Sequence, residues 1–231
     1  MMNLGRDEID AIVLSLKVAF FAVTFSLPPA IALAYVLARM DFPGKTLVDA
    51  FVHLPLVLPP VVVGFMLLLL FGRNGALGAP LAEWLGIVFA FRWTGAALAS
   101  AIMGFPLMVR AIRLSLSSID RRLETAARTL GGSRWWVFVS ITLPLALPGL
   151  AATAIYVFLL AWNEFFFALT FMSSTEMRTI PVGLSSFFGE HSVDWGLVMA
   201  GSVVASLPVV VLFGLLSRYF VQGLTAGAVK G

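Results

Sequence analysis

The chain has 231 residues, of which 60% are apolar and 12% charged, with 20 Phe, no Cys and a formal charge of +3. A soluble domain carries about 25% charged residues, so this chain has roughly half the ions needed to cover a globule, and the same apolar content excludes a disordered chain or one built to wrap nucleic acid. Without Cys there is no disulfide, thiol catalysis or thiolate metal site, and only His53 and His191 could serve a zinc or haem centre; neither metal nor cofactor is expected.

What remains is an all-α polytopic membrane protein, read as one transmembrane domain over residues 1–231. A crossing needs about 20 mostly apolar residues. The first candidate, Ile12–Ala38, is too long and preceded by too many acids (Asp7, Glu8, Asp10) to be a cleaved signal peptide. The second is Ala50–Phe71. Pro55, Pro59 and Pro60 should bend it and free carbonyls for a cavity, which makes Pro59 and Pro60 candidates for a translocation path or gate. His53, at one end of this span, is expected to be an interfacial anchor. Gly44-Lys45-Thr46 has the ending of a phosphate loop, but Arg39 stands where its first glycine should be. Any use of ATP therefore belongs to another chain.

Leu81–Phe91 is too short to cross and carries Glu83, so it reads as an interfacial or re-entrant piece. The third span, Thr94–Val109, extends past Arg110 with that side chain snorkelling toward water. Arg110 and Arg113, one turn apart, would anchor on lipid phosphate or attract an exiting anion.

The fourth span, Gly149–Phe171, contains Asn163 and Glu164. A carboxylate at the bilayer centre costs about 2.5–3.5 kcal/mol unless something offsets it. Glu164 could line the path or a gate, bond across a dimer seam, or sit protonated against a neighbouring helix. Beside an oxyanion it would be repulsive, whereas a sugar could bond to both Asn163 and Glu164. The fifth span is Gly196–Leu216.

Five crossings put the termini on opposite sides. Arg110, Arg113, Arg121, Arg122, Arg128 and Arg134 share one loop, and with Arg39, Lys45, Arg218 and Lys230 they place ten cations on one side against Arg6, Arg73, Arg92 and Arg178 on the other. The positive-inside rule makes the first side cytoplasmic, and Glu176, Glu190 and Asp194 leave the last outer loop acidic, in agreement. The one internal echo, Leu54-Pro55-Leu56-Val57-Leu58-Pro59-Pro60 against Leu143-Pro144-Leu145-Ala146-Leu147-Pro148-Gly149, reflects similar local jobs rather than duplication.

Residues 117–144 form the most informative loop. Ser117 and Ser118 can cap a helix. Ile119, Leu123, Ala126, Ala127 and Leu130 fall on one face, with Arg121, Glu124 and Arg128 opposite and Glu124 spaced to support Arg128. Gly131-Gly132 ends this helix, and Ser133 starts a second, running from Arg134 to about Thr142 and stopped at Pro144. Such a pair is either an amphipathic hairpin on anionic lipid or a small rigid knob for a cleft on a soluble partner.

The run Glu124-Thr125-Ala126-Ala127-Arg128-Thr129-Leu130-Gly131, followed at fixed spacing by Ile141-Thr142-Leu143-Pro144, resembles the EAA-x3-G-x9-I-x-LP signature of binding-protein-dependent ABC importer permeases. Thr125 stands where the signature has Glu, and Glu124 lies one residue early. From Asp41 to Pro148 the chain is most similar to molybdate permeases, through Phe42-Pro43-Gly44-Lys45, His53–Gly64 and Phe105–Arg113. From Ala151 onward it is more similar to sugar permeases, through Ala161-Trp162-Asn163-Glu164-Phe165, Thr179–Leu184 and Val221–Gly227.

The resemblance implies the type I importer permease fold in a bacterial inner membrane, with the N-terminus periplasmic. Glu124, Thr125, Ala126, Ala127, Gly131, Ile141, Leu143 and Pro144 would couple to a dimer of ATP-binding subunits. A periplasmic solute-binding protein, a second permease copy and membrane lipid are the other implied partners, with no nucleic acid. The chain is then a transport subunit rather than an enzyme, for molybdate or tungstate, with a sugar as the alternative cargo. A bulky residue at Gly131 should abolish transport while leaving the subunit in the membrane. A secondary transporter or channel would need coupling carboxylates or inverted repeats, and an intramembrane enzyme a second group at the depth of Glu164; the sequence offers neither.

Overall fold

The computed structural model describes residues 6–172, 178–188 and 193–228, without the side chains of 6–8 and 215–228. Glu176, Glu190, His191 and Lys230 lie outside the described residues, and the side chains of Arg6, Arg218 and Val221–Gly227 are likewise not described.

Among the described residues the chain is helical, with a single isolated bridge between Phe188 and Val193. The helices are α1 (Arg6–Arg39), α2 (Lys45–Val57), α3 (Pro60–Phe71), α4 (Gly78–Leu85), α5 (Trp93–Ser118), α6 (Arg121–Thr129), α7 (Arg134–Val137), α8 (Leu143–Trp162), α9 (Phe166–Phe171), α10 (Ile180–Ser185) and α11 (Trp195–Ala228). Four stretches are long and apolar enough to cross a membrane: Ile9–Arg39, Trp93–Ser118, Arg134–Trp162 and Trp195–Gly214. α2 and α3, bent by 110° to one another, are long and apolar enough together to form a fifth candidate as one broken span.

The centre of the bundle is α5, packed between α1 and α8. Small residues recur on the buried side of α1 at helical spacing, namely Ser15, Ala19, Ala22, Ser26, Ala30 and Ala34. They let α1 and α5 approach closely, as membrane helices must when lipid gives them no hydrophobic drive to associate. The Ser26 hydroxyl is satisfied by donating to the Ala22 carbonyl at 2.6 Å. Larger side chains fill the α6 end, where Leu37, Met108, Ile112, Leu116 and Leu150 form one buried cluster with Ala30, Ala34 and Ala146. Ser15 also accepts the Ile180 N–H at 2.9 Å, fastening the start of α10 to α1.

The third span runs to Ser118, well past Arg110, as the snorkelling argument anticipates. Leu81–Phe91 contributes only the end of α4 and irregular chain, and does not cross. The bend anticipated at the second span is present: Leu58 is extended (ψ 143°) and Pro59 follows it. The expectation that the two proline echoes do similar local jobs is not met: the motif at Leu143–Gly149 stays inside a continuous helix, whereas its counterpart makes the bend.

Two other expectations need correction. Gly149–Phe171 is not one span, because α8 ends at Trp162 and α9 restarts at Phe166. The second loop helix does not stop at Pro144; it continues from α7 through a π-helical turn, Phe138–Thr142, into α8. There the Leu143 N–H bonds to the Phe138 carbonyl, five residues back. Shifting the ladder by one residue lets the chain absorb the missing N–H and ring clash that make proline end an ordinary helix.

Candidate functional site

The elbow between α5 and α8 is built from local signals. Ser117 and Ser118 finish α5 rather than starting the next helix, and Ser118 donates to the Ser115 carbonyl at 2.7 Å. Asp120 is the actual cap, accepting the Arg122 N–H at 2.9 Å. At the other end, Gly132 N–H donates to the Ala127 carbonyl and Gly131 N–H to that of Arg128, both at 3.0 Å. This is the Schellman pattern, which needs a left-handed residue at Gly131; its φ is +92°. Ser133 then accepts the Trp136 N–H at 3.2 Å and opens α7.

The faces of α6 are not those its apolar periodicity predicts. Ala127 is buried, but Leu123 is 49% and Leu130 89% exposed. Glu124, placed by the sequence on the solvent side, is the buried residue at 7%. Its Oε1 accepts from Arg39 Nη2 at 2.8 Å and from the Thr142 hydroxyl at 3.0 Å. The weak pair with Arg128 that spacing suggests gives way to a cation delivered from 85 residues upstream. Arg121 also donates to the Ala38 carbonyl at 3.0 Å, answering one of the orphan acceptors at the end of α1.

The signature residues therefore separate. Glu124 and Ala127 face the chain's own bundle, Ile141 and Leu143 are half-buried beneath the elbow, and Thr125, Ala126, Gly131 and Pro144 are exposed. Thr125 returns its hydroxyl to the Arg121 carbonyl at 3.0 Å and presents no charge. Together with Leu123, Leu130, Trp135 (73% exposed) and Trp136, the elbow offers an apolar outer face bordered by Arg122 and Arg128.

The other candidates lie at two breaks in the bundle. Pro59 and Pro60 are exposed at the first. Asn163 and Glu164 occupy the second, so Glu164 is not inside a continuous helix. Each of its carboxylate oxygens lies 2.9 Å from the Phe167 N–H, and Oε2 also accepts from Ala168 at 3.0 Å. Helix starts leave such donors unpaired, and the Glu164 carboxylate answers them. Asn163 is exposed and donates to the Leu159 carbonyl at 2.8 Å. The segments after the two breaks meet: a Cβ on Gly64 of α3 would sit 3.2 Å from the Phe167 ring of α9. Leu58 and Phe165, one at each break, pack on the same buried cluster. The two breaks are thus joined by packing between the segments that follow them.

A cavity of about 410 Å³ between α2 and α5 is lined by Thr46, Asp49, His53, Arg110 and Arg113. Arg113 pairs with Asp49 at 3.2 Å, so it ties α2 to α5 instead of reaching only for lipid. His53 Nδ1 lies 2.8 Å from the Asp49 carbonyl oxygen; that oxygen can only accept, so Nδ1 carries the hydrogen. Among the described residues no three His, Asp or Glu side chains converge to hold a metal. The residues that sequence reasoning missed are Arg39, Asp49 and Thr142. Arg39 entered only the charge balance and the rejection of a phosphate loop, and nothing local links it to Glu124.

Residues 30–226 match the profile of a family described as "Binding-protein-dependent transport system inner membrane component". The chain is 55% identical over 182 residues to the molybdenum transport system permease protein ModB of Escherichia coli K12, covering 78% of this chain and 80% of that one. It is 53% identical over 182 residues to the Haemophilus influenzae protein of the same name, with the same coverage. It is also 35% identical over 207 residues to the trehalose/maltose transport system permease protein MalG of Thermococcus litoralis, covering 86% of this chain and 67% of that one. The likeness to molybdenum permeases thus runs further than the segment 41–148 can hold. In fold, the chain matches a bacterial ABC transporter involved in alginate import with a TM-score of 0.75 at 18% identity, covering 99% of this chain and 82% of that one. It matches the MetNI methionine ABC transporter at 0.68 and 16% identity, covering 94% of each.

Proposed function

The chain belongs to the family of binding-protein-dependent transport system inner membrane components, and from that premise we propose that it forms the membrane path of a molybdate importer. It is an ABC importer permease, and the observation that carries its cargo is the 55% identity to a molybdenum permease, against 35% to a trehalose/maltose permease. The electrostatic objection to an oxyanion weakens once Glu164 is read as a helix-capping group, its charge already met by two backbone donors.

In this reading the elbow faces the cytoplasm, the N-terminus the periplasm, and Leu123, Ala126, Leu130, Trp135 and Trp136 seat in a groove of an ATP-binding subunit. Two permease copies enclose the path, with Pro59, Pro60, Asn163 and Glu164 near it, and a periplasmic receptor delivers the anion. Closure of two ATP-binding subunits displaces the elbows and swings the bundle from inward-open to outward-open, a rigid-body movement that needs a stiff contact. The ten-to-four distribution of cations supports the orientation. The exposed indole and leucine side chains on a short capped helix support the docking face, since the centres of protein interfaces are enriched in aromatic and depleted in charged residues.

The test is uptake of labelled molybdate, with maltose as the comparison, by the complete transporter with its own receptor. Molybdate uptake that tungstate competes and maltose does not is the expected result. Receptor binding and uptake of a sugar, with none of molybdate, would overturn the cargo and favour the second reading.

A further inference from the structure

How α6 is held in place leads to one more assignment. A helix of nine residues is unstable by itself, so its position depends on tertiary contacts. Its apolar contribution to the bundle is small: among its own side chains only Ala127 and Glu124 are buried. What locates α6 is polar. Glu124 Oε1 receives Arg39 from the end of α1 and Thr142 from the π-helical turn that leads into α8, with the Arg39 and Glu124 side chains 7% and 9% exposed. Both donors converge on one oxygen, and Arg39 Nε is buried without a partner. A contact of this kind is directional: it resists sliding until it breaks, whereas an apolar contact of one methyl group would shear.

We propose that Arg39, Glu124 and Thr142 form a latch that makes α6, α1 and α8 move as one body. Arg39 is then a positioning residue for ATP-driven import, acting through Glu124. The assignment rests on the reading that α6 is the element an ATP-binding subunit pushes. Thrust on α6 passes into α1 through the guanidinium and into α8 through the threonine hydroxyl. Lysine is a poor substitute at such a site, because a single ammonium on a flexible stem lacks the planar fork of arginine.

The experiment uses the whole importer reconstituted in vesicles with its ATP-binding subunit and receptor. Labelled molybdate uptake and ATP hydrolysis are measured together, giving molybdate moved per ATP. Arg39→Met should lower that ratio tenfold or more while hydrolysis continues, and Arg39→Lys should fall between. The deciding variant is Arg39→Met with Glu124→Met, which removes the stranded charge as well as its partner. Replacing both members of a buried pair by apolar groups tends to restore stability, so the melting temperature should recover while the ratio stays low.

A purely structural role predicts instead that both recover together, and that result overturns the latch. An unchanged ratio in Arg39→Met overturns it equally. Should neither methionine variant assemble, Arg39→Lys decides, an unaltered ratio being fatal. A wild-type subunit that co-purifies with no ATP-binding protein defeats the docking reading itself and takes the latch with it, a result distinct from any change in ratio.

Discussion

Gly131 gives the sharpest measure of whether the elbow is rigid. Its φ of +92° lies in the left-handed region, yet a Cβ built there meets nothing within 4 Å. Alanine at Gly131 therefore brings backbone strain and no clash, about 1–2 kcal/mol. If docking requires the native elbow, affinity for the ATP-binding subunit falls by no more than that strain allows, roughly 5–30-fold. Asparagine tolerates the left-handed region better than other non-glycine residues, so Gly131→Asn should lose less than Gly131→Ala. Gly132 is the opposite case. A Cβ there lies 2.9 Å from the Ala127 carbonyl, 2.9 Å from the Trp136 ring and 3.2 Å from Val137, so Gly132→Val should be worse than Gly131→Val. Titrating purified permease variants with labelled ATP-binding subunit, alongside thermal unfolding in detergent, gives both quantities. An Asn variant weaker than the Ala variant, or a loss beyond 100-fold for Gly131→Ala, would refute the argument that the glycine serves only the backbone. The total loss of transport expected of a bulky residue at Gly131 thus becomes a graded effect at that position and a severe one next door.

Three further outcomes follow from the packing. Removing the cap with Glu164→Ala should cost about 0.5–2 kcal/mol, and Glu164→Gln, which keeps one acceptor oxygen, should cost less; detergent melting curves that rank them in reverse would exclude the capping role. A Cβ on Gly149 would press on the Ser115 side chain across the contact between α8 and α5. Gly149→Ala should destabilise by about 1–3 kcal/mol, the range for overpacking, and Ser115→Gly in the same chain should restore the melting temperature. Pro59→Leu returns an N–H at the bend between α2 and α3; it should depress molybdate uptake at least tenfold with normal membrane insertion, and undiminished uptake would show that the bend does not serve the path.

Composition and hydropathy were enough to establish an apolar, helical, membrane-spanning chain, because the need to bury backbone hydrogen bonds in lipid leaves few alternatives to helices. The bend at Pro59 and the glycine end of α6 were also legible, since proline and glycine act on their own backbone. The chain break before Phe166 was hidden: Asn163 and Glu164 sit in an unbroken apolar run, and only the folded chain shows the carboxylate turned onto the next helix start. Periodicity likewise placed Glu124 in water, because a sequence pattern ranks faces by polarity and cannot know what stands opposite. Arg39, 85 positions away, stands opposite. A charge is buried when a partner of opposite sign meets it, and the fold of the whole chain brings that partner.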